Sequence, residues 1–176
     1  MATPVVCCGF ECGQAGSAGA SANHLWLCGT SVAVFDTATV RNGARSLKCA
    51  ATLGTSYCHF WTTDAAVLVA RVAVRFAVLP TLSTPIAYAD YAGTAADGIW
   101  FNVDDSKLYC GTDVATFGAT GVSVTTGVWY VLDLKVNRSA NPWTIDARVD
   151  STALGQATRA VAAGTSNNRS ESLGLG

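Results

Sequence analysis

Carboxylates are the side chains best suited to hydrolytic chemistry, and this sequence places them poorly for it. Asp and Glu together number 12, yet Glu11 and Glu171 are the two glutamates and stand near opposite ends of the chain. Hydrolysis of a glycosidic bond generally needs two carboxyl groups about 5–10 Å apart. No GxSxG motif occurs, and neither His24 nor His59 lies in the context of a catalytic triad. We therefore expect no catalytic residue, no enzymatic activity and no cofactor.

Cysteines are the next candidates, because thiolates bind metal ions and form disulfides. The seven thiols are an odd number, which cannot be fully paired within one chain. Three of them fall within "CCGFEC", but the CxxC spacing is lacking and only two histidines are present, so we expect no zinc site. Small, buried apolar side chains are the preferred interpretation, and a Cys49–Cys58 bridge across a hairpin is the alternative. The cysteines are Cys7, Cys8, Cys12, Cys28, Cys49, Cys58 and Cys110.

One cluster of oxygen-bearing side chains could hold calcium. Asn102, Asp104 and Asp105 lie within "GIWFNVDDSKLYCG", and Ca²⁺ prefers several oxygen ligands. Two adjacent Asp residues in a hairpin are, however, typical turn formers. A turn at residues 104–106 is therefore the preferred interpretation, with calcium binding as the weaker alternative.

Charged residues alternate with apolar residues along two segments, which predicts strands that place the charges on one face. In "VLVARVAVRFAVL" (67–79), apolar residues from Val72 to Val78 fall on one side and two arginines on the other. The segment "GVWYVLDLKVNRSANPWTIDARVD" (127–150) repeats the pattern as strand, turn and strand. The predicted charged face consists of Arg71, Arg75, Asp133, Lys135, Asp146 and Arg148.

Two interpretations of this charged face are open. Opposite charges on adjacent strands form pairs worth about 0.2–1 kcal/mol each and keep a sheet face hydrated. A solvated or subunit-facing surface is therefore preferred to a ligand site. A sugar site would also need an aromatic platform. Trp143 falls on the apolar register of its strand, which predicts a core position, whereas Trp129 falls on the polar register.

Composition excludes several classes of function. Half of the 176 residues are hydrophobic and 13% are charged, which excludes a disordered chain. The net charge is −1 and no basic block occurs, so we expect no nucleic-acid partner. The most apolar window, "AAVLVARVAVRFAVLP", is interrupted by two arginines and is too short to span a bilayer, so we expect no membrane partner. The N-terminal "MATPVVCCGF" lacks the features of a secretory signal.

Strand and turn signals recur along the rest of the chain. Asp outnumbers Glu, which favours turns over helices. Many short strands joined by turns indicate an all-β fold, an antiparallel two-sheet sandwich. Further strands are predicted at 31–40, 41–51, 56–63 and 121–127, with a hairpin at 98–111, and no segment predicts a helix.

The segment "GVWYVLDLKVNRSANPWTIDARVDSTAL" resembles the late hairpin of concanavalin A-like jelly-roll domains, including the laminin-G-like group. "GFECG" and "RNGARSLKC" resemble the opening strands of such domains in structural proteins of bacteriophages and environmental viruses. The resemblance covers residues 5–176 and implies one jelly-roll domain over 1–176. In this fold two antiparallel sheets are stacked and one of them is concave.

The resemblance also implies alternative functions. Lectin-like relatives bind sugar or calcium at the loops or on the concave face. Glycosidase relatives carry a Glu-x-Asp-x-Glu strand, which is absent here. Viral relatives build the outside of the particle.

One departure from the family pattern concerns the C-terminus. Domains of this type usually continue past "RSESLGLG" into one more strand. We therefore expect that a closing C-terminal strand is missing, lies beyond Gly176 or comes from a neighbouring chain. Any of these would leave an unpaired edge that invites strand addition.

These expectations favour a non-enzymatic structural protein of a virus particle, as a head decoration, tail or fibre subunit. Its partners would be copies of itself, as a trimer in the resembling group, and other virion proteins. It would assemble in the host cytoplasm and reside on the particle exterior. A carbohydrate-binding, lectin-like module that recognises surface glycans is the alternative, and a glycoside hydrolase is the least favoured interpretation.

Overall fold

β-Strands are the regular elements in the part of the chain that the structure describes. The computed structural model describes residues 27–29, 33–43, 46–49, 57–61, 66–91, 95–113, 115–161 and 172–175. No helix in these ranges is long and apolar enough to cross a membrane. The chain divides into two compact units, Met1–His59 and Phe60–Gly176. The single domain over 1–176 stays a prediction.

The first unit contains two short antiparallel pairs. β1 (Leu27–Gly29) pairs with the beginning of β4 (Tyr57–Trp61), and β2 (Ala33–Asp36) pairs with β3 (Ser46–Cys49). Between β2 and β3, Gly43 adopts a φ of 80°, a left-handed conformation that glycine reaches without steric cost. Both predicted strands are present but shorter than predicted, and because β2 ends at Asp36 and β3 begins at Ser46 the Asn-Gly step does not form a two-residue hairpin turn.

The strand pairs of this unit do not place Cys49 opposite Cys58, the two cysteines for which a disulfide bridge was the alternative. Cys28 stands opposite Cys58 on the β1–β4 pair. Cys49 stands opposite Ala33 on the β2–β3 pair. The described register therefore places Cys49 and Cys58 on two different strand pairs, and a bridge between them has no support from strand pairing.

The second unit is a sandwich of two antiparallel sheets, which confirms the predicted fold class at that level. Its strands are β5 (Val67–Arg75), β6 (Thr84–Tyr91), β7 (Ala95–Asn102), β8 (Lys107–Asp113), β9 (Thr116–Ser123), β10 (Trp129–Asn137), β11 (Trp143–Val149), β12 (Thr152–Ala153), β13 (Ala157–Arg159) and β14 (Ser172–Leu175). Within this unit, the first sheet has the order β14-β6-β7-β8-β9. The second sheet has the order β12-β11-β10-β5, and β13 also pairs with β11.

The C-terminal strand β14 pairs antiparallel with β6, with Gly174 opposite Tyr88. A strand close to the end of the chain thus belongs to the first sheet. The sequence did not predict this strand. The closing strand that is missing or supplied by a neighbour stays a prediction.

The core lies between the sheets and depends on strict alternation along β10. Leu132, Leu134 and Val136 are buried, whereas the intervening Asp133 and Lys135 point away from the core. Each fully buried aliphatic side chain contributes about 1.5–3 kcal/mol relative to exposure. The first sheet supplies the opposite side of the core, with the buried residues Ile86, Ala87, Ala89, Ile99, Phe101, Leu108 and Cys110.

β5 follows β10 along its whole length, from Val67 opposite Asn137 to Arg75 opposite Trp129. The sequence predicted that this strand would continue to residue 79. It ends earlier because β10 begins at Trp129 and offers no partner beyond Arg75. Val78 is accordingly exposed on the following loop, and its predicted place on the core face is wrong.

Two turns fix the ends of β11. The turn from β10 contains a cis Asn141–Pro142 peptide bond, and the Asn141 side chain exchanges two hydrogen bonds with the backbone of Val161, at 2.6 and 3.0 Å. At the other end, Asp150 and Ser151 have φ values of 47° and 75° and form a two-residue hairpin into β12. Positive φ at both central residues matches the twist of tight hairpins.

An ion pair inside the sandwich links its two sheets. Asp97 on β7 is fully buried, and its Oδ1 accepts a hydrogen bond from Nε of Arg159 on β13 at 2.6 Å. Nη2 of Arg159 also donates to the carbonyl of Thr112 on β8. β7 and β8 belong to the first sheet and β13 to the second, so the side chain of Arg159 joins its own strand in the second sheet to two strands of the first.

We expect the buried ion pair to matter far more for stability than the exposed pair between Arg71 and Asp133. Arg159→Met leaves the carboxylate of Asp97 in the interior without its arginine and should lower the free energy of unfolding by about 3–5 kcal/mol. Arg71→Met, the matched control, should cost far less, because its side chain is 73% exposed and water screens the ion pair. Urea titration of both variants measures the difference. Equal losses would contradict this ranking.

Candidate functional site

The six residues of the predicted charged face lie together on one surface of the second sheet, on the side opposite the core. Asp133 on β10 stands opposite both an arginine of β5 and an arginine of β11, and Lys135 stands opposite an aspartate of β11. Their function as ligand or subunit contacts stays a prediction. By strand, the face consists of Arg71 and Arg75 on β5, Asp133 and Lys135 on β10, and Asp146 and Arg148 on β11.

Asp133 is the centre of the charged face. Nε and Nη2 of Arg71 donate hydrogen bonds to its two carboxylate oxygens, at 2.5 and 3.0 Å. The hydrogen bond to this carboxylate, together with its negative charge, raises the pKa of the Arg71 guanidinium above its usual value. Arg148 flanks the same carboxylate from β11. The result is a row of alternating charge across three strands.

Two further side chains of the charged face, those of Asp146 and Arg75, are also engaged within the sheet and its loops. Nε2 of Gln156 donates to Oδ1 of Asp146 at 2.8 Å. Nε of Arg75 donates to the carbonyl oxygen of Gly127 at 3.0 Å. Side chains that hydrogen-bond to one another across a sheet are typical of a solvated or subunit-facing surface, whereas a ligand site keeps converging polar groups available.

β5 forms one margin of the second sheet and, among the described strands, pairs on one side only. Just outside the strand, the carbonyl oxygens of Ala66 and Phe76 accept hydrogen bonds from the facing chain, at 2.7 and 2.8 Å. Because backbone groups of alternate residues point to opposite sides of a strand, the odd-numbered residues from 67 to 75 direct theirs to the open side. This open side is termed the β5 edge.

Apolar side chains are incompletely covered along the β5 edge. Val67 and Val69 lie on the outer side and are 44% and 70% exposed. A long apolar edge strand is a template for pairing with another strand. On the inner side, the β5 residues that contact the core are half-buried, namely Leu68, Ala70, Val72 and Val74.

The β5 edge was not predicted from the sequence. The predicted faces of this strand began at Arg71 and left out Val67 and Val69, which share the register of Arg71. Two valines on the register that also carries both arginines were the available signal. Nothing in the sequence indicated, however, that β5 would end the second sheet among the described strands.

A second surface lies on the outer side of the first sheet and is termed the aromatic patch, formed by the half-buried Tyr109 and Phe117 beside the buried Trp100. The Phe117 ring stacks on Tyr109, with centroids 5.3 Å apart and planes at 18°, and lies 6.5 Å from the Trp100 ring. A Cβ at Gly121 would come within 2.4 Å of the Tyr109 ring. The ring therefore lies directly on β9, and this close approach requires glycine.

Charged groups border the aromatic patch. The Tyr109 hydroxyl donates to Oδ2 of Asp105 at 2.5 Å, and Nζ of Lys107 lies 3.5 Å from the same oxygen. Burial would raise the pKa of Asp105, but the hydrogen bond from Tyr109 and the charge of Lys107 lower it overall. The bond to the carboxylate raises the pKa of Tyr109. The sequence predicted Asp105 as a turn residue, with calcium binding as the weaker alternative, and did not predict its bond to Tyr109.

The calcium candidates Asn102, Asp104 and Asp105 lie at the β7–β8 turn. Oδ1 of Asn102 accepts hydrogen bonds from the amide of Asp104 at 3.3 Å and from the hydroxyl of Ser83 at 3.2 Å. These contacts support the turn interpretation. Among the residues that the structure describes, no group of three His, Cys, Asp or Glu side chains is arranged to hold a metal ion.

Several residues considered for chemistry lie outside the described residues. They include Glu11, Glu171 and His24, together with the three thiols of "CCGFEC".

The structure tests the predictions made for Trp143 and Trp129. Trp143 is 2% exposed, as predicted for a core residue, and the Arg138 guanidinium lies 4.8 Å from its ring centroid. Trp129 is half-buried opposite Arg75.

Comparison with known proteins identifies no relative. No protein family, curated protein or solved structure matches this chain. The resemblance to concanavalin A-like domains therefore has no family match behind it. Functional inference rests on the charged face, the β5 edge and the aromatic patch.

Cys110 is a core thiol, in agreement with the predicted role of cysteines as small buried side chains. Its Sγ lies 3.2 Å from the carbonyl oxygen of Ile145, which accepts its hydrogen bond. Burial, helped by the negative charges of Asp146 and Asp97 and opposed by a hydrogen bond with the backbone of Ala157, raises the pKa of the Cys110 thiol to about 11. A thiol held protonated in this way is a poor nucleophile at neutral pH.

The raised pKa of Cys110 predicts a loss of stability at alkaline pH. In the unfolded chain the thiol ionises near its ordinary value of 9.0, whereas in the fold it stays protonated to about 11. The free energy of unfolding should therefore fall between these values, by up to about 3 kcal/mol for this group. Urea titrations across this range should show a smaller pH-dependent loss for Cys110→Ala than for the wild type. Parallel pH profiles would contradict the assignment.

Proposed function

We propose that this chain is a non-enzymatic structural subunit, of the kind that forms the outside of virus particles, and that it assembles with copies of itself. The observation that carries the proposal is the β5 edge, a nine-residue strand paired on one side among the described strands. Its outer valines are exposed and its inner side chains are half-buried. Self-assembly would cover apolar surface that the isolated chain leaves in water.

The charged face supports assembly in preference to catalysis. Its central ion pair joins Arg71 and Asp133 within the sheet, and Asp146 is engaged by Gln156. Catalytic groups instead need freedom to contact a substrate and strongly perturbed pKa values in a cleft. A surface of alternating charges beside a strand that is paired on one side suits a specific subunit contact, because opposed charges also set its register.

The proposal includes a jelly-roll arrangement of the sandwich, as in the resembling viral domains. The chain passes between the two sheets after β5, after β9 and before β14. Repeated exchange between sheets is expected of a jelly roll. In this setting the subunit would be a head decoration, tail or fibre component on the particle exterior, assembled in the host cytoplasm beside other virion proteins.

We expect the isolated protein to sediment as a stable homo-oligomer, with a mass that is a whole multiple of 18.1 kDa. Sedimentation velocity with light scattering measures the mass, and mass spectrometry of purified particles tests for the subunit. A panel of glycosides should show no turnover. A protein that stays monomeric at high concentration would contradict self-assembly, and its absence from purified particles would contradict the virion assignment.

Carbohydrate binding is the second candidate function, and the aromatic patch favours it. Aromatic rings that lie flat on a sheet offer stacking surfaces, and sugar sites combine them with a few fixed polar groups. Tyr109 and Phe117 would supply the stacking surface. The carboxylate of Asp105 and the ammonium of Lys107 lie at the edge of the patch, where hydroxyl groups of a sugar would reach them.

The second candidate predicts a specific loss of glycan binding. Phe117→Ala removes half of the stacked ring pair and should weaken the affinity for a bound glycan by about tenfold. Leu82→Ala is the control, since Leu82 is an exposed apolar residue on the loop between β5 and β6. Glycan-array screening followed by calorimetry measures both. Equal affinities of the two variants would exclude the aromatic patch.

A further inference from the structure

We propose that two copies of this chain join through their β5 edges, antiparallel about a two-fold axis at Val69, so that their second sheets become one continuous sheet. This inference rests on the proposed function and specifies its subunit contact. The interface is isologous: the same strand contributes on both sides, as in most two-fold dimers. The occupant of the edge is thus a second copy of this chain.

Backbone geometry permits this pairing. The odd-numbered residues of β5 direct their N–H and C=O groups to the open side, as the contacts of Ala66 and Phe76 with the facing chain indicate. A two-fold axis at Val69 places odd-numbered residues of one copy opposite odd-numbered residues of the other. Val69 then faces Val69 of the second copy, and Val67 faces Arg71 of the second copy. In these pairs, backbone N–H and C=O groups that otherwise hydrogen-bond to water would hydrogen-bond to the second copy.

The arginine charges of β5 favour a two-fold axis at Val69 over a two-fold axis at Arg71. A two-fold axis at Arg71 would use all nine residues of β5, but would set Arg71 against Arg71 of the second copy. Like charges directly opposite one another destabilise a strand pair. Moving the axis to Val69 replaces that contact with Val69 against its own copy. The most exposed apolar side chain of the strand, at 70%, then becomes buried.

The inner side of β5 also gains from this register. Leu68 would face Ala70 of the second copy, and Ala70 would face Leu68 of the second copy. Both side chains already contact the core but are half-buried in the single chain. The hydrophobic cores of the two copies would then meet where their β5 strands pair. A single pairing would therefore account for both the exposed outer valines and the half-buried inner residues.

The substitution Val69→Lys tests the pairing. It places like charges opposite one another across the axis and should weaken self-association by about tenfold or more. Val78→Lys is the matched control, because Val78 is equally exposed but lies on the loop beyond β5. It should leave self-association unchanged. Sedimentation velocity over a concentration series measures both, and circular dichroism confirms that both variants fold.

A mixing experiment tests the register. Val69→Asp alone should also weaken self-association, whereas an equimolar mixture of the Val69→Lys and Val69→Asp variants should restore the dimer, because opposite charges then face each other at the axis. If Val69→Asp instead strengthens the dimer, residue 69 faces an arginine and the register is wrong. Failure of the mixture to associate also overturns the register.

The outcomes separate this inference from the proposed function. A wild-type protein that stays monomeric overturns both. If Val69→Lys leaves the oligomer intact, or if the oligomer is a trimer, the two-fold β5 contact is wrong while a self-assembling structural subunit stands. A dimer lost with Val69→Lys, kept with Val78→Lys and restored by mixing supports the inference.

Discussion

The alternation of side chains along β10 is the constraint on which the rest of the second unit depends. β10 lies between β5 and β11 with continuous register on both sides, so one residue of slip would exchange its two faces. One face then buries Leu132, Leu134 and Val136 against the first sheet. The other face must carry Asp133 and Lys135, and it organises the charges of the neighbouring strands.

The same alternation gives β5 an inner side, which packs against the core, while its outer backbone groups form the β5 edge. Core packing holds the inner side of β5 against the sandwich, while no described strand pairs with its outer backbone groups. The ion pair of Asp97 with Arg159 holds the sheets together at the opposite margin of the second sheet, where β13 pairs with β11. Among the described strands, the two margins of the second sheet therefore differ, and strand addition is favoured at β5.

Sequence periodicity predicted much of this arrangement, because a period of two is a local property. It identified the charged face, the core position of Trp143, the hairpin around Asp104 and the two-sheet class. It did not identify the strands β6, β12, β13 and β14, whose sequences do not alternate clearly. The ion pair of Asp97 with Arg159 and the stacking of Tyr109 on Phe117 also escaped it. The ion pair joins residues 62 positions apart in sequence, and the stacking depends on the irregular register between β8 and β9. The strand that ends a sheet is likewise decided by the whole fold.

Residue-resolved amide hydrogen exchange by NMR, at high and at low protein concentration, tests the claim of assembly through β5 most directly. The amides of Val69 and Arg71 point to the open side of the strand, whereas those of Leu68 and Ala70 point to β10. We predict that the first two exchange slowly at high concentration and rapidly on dilution, while the other two stay protected throughout. Rapid exchange of Val69 and Arg71 at every concentration, in a protein that still forms oligomers, would contradict the account.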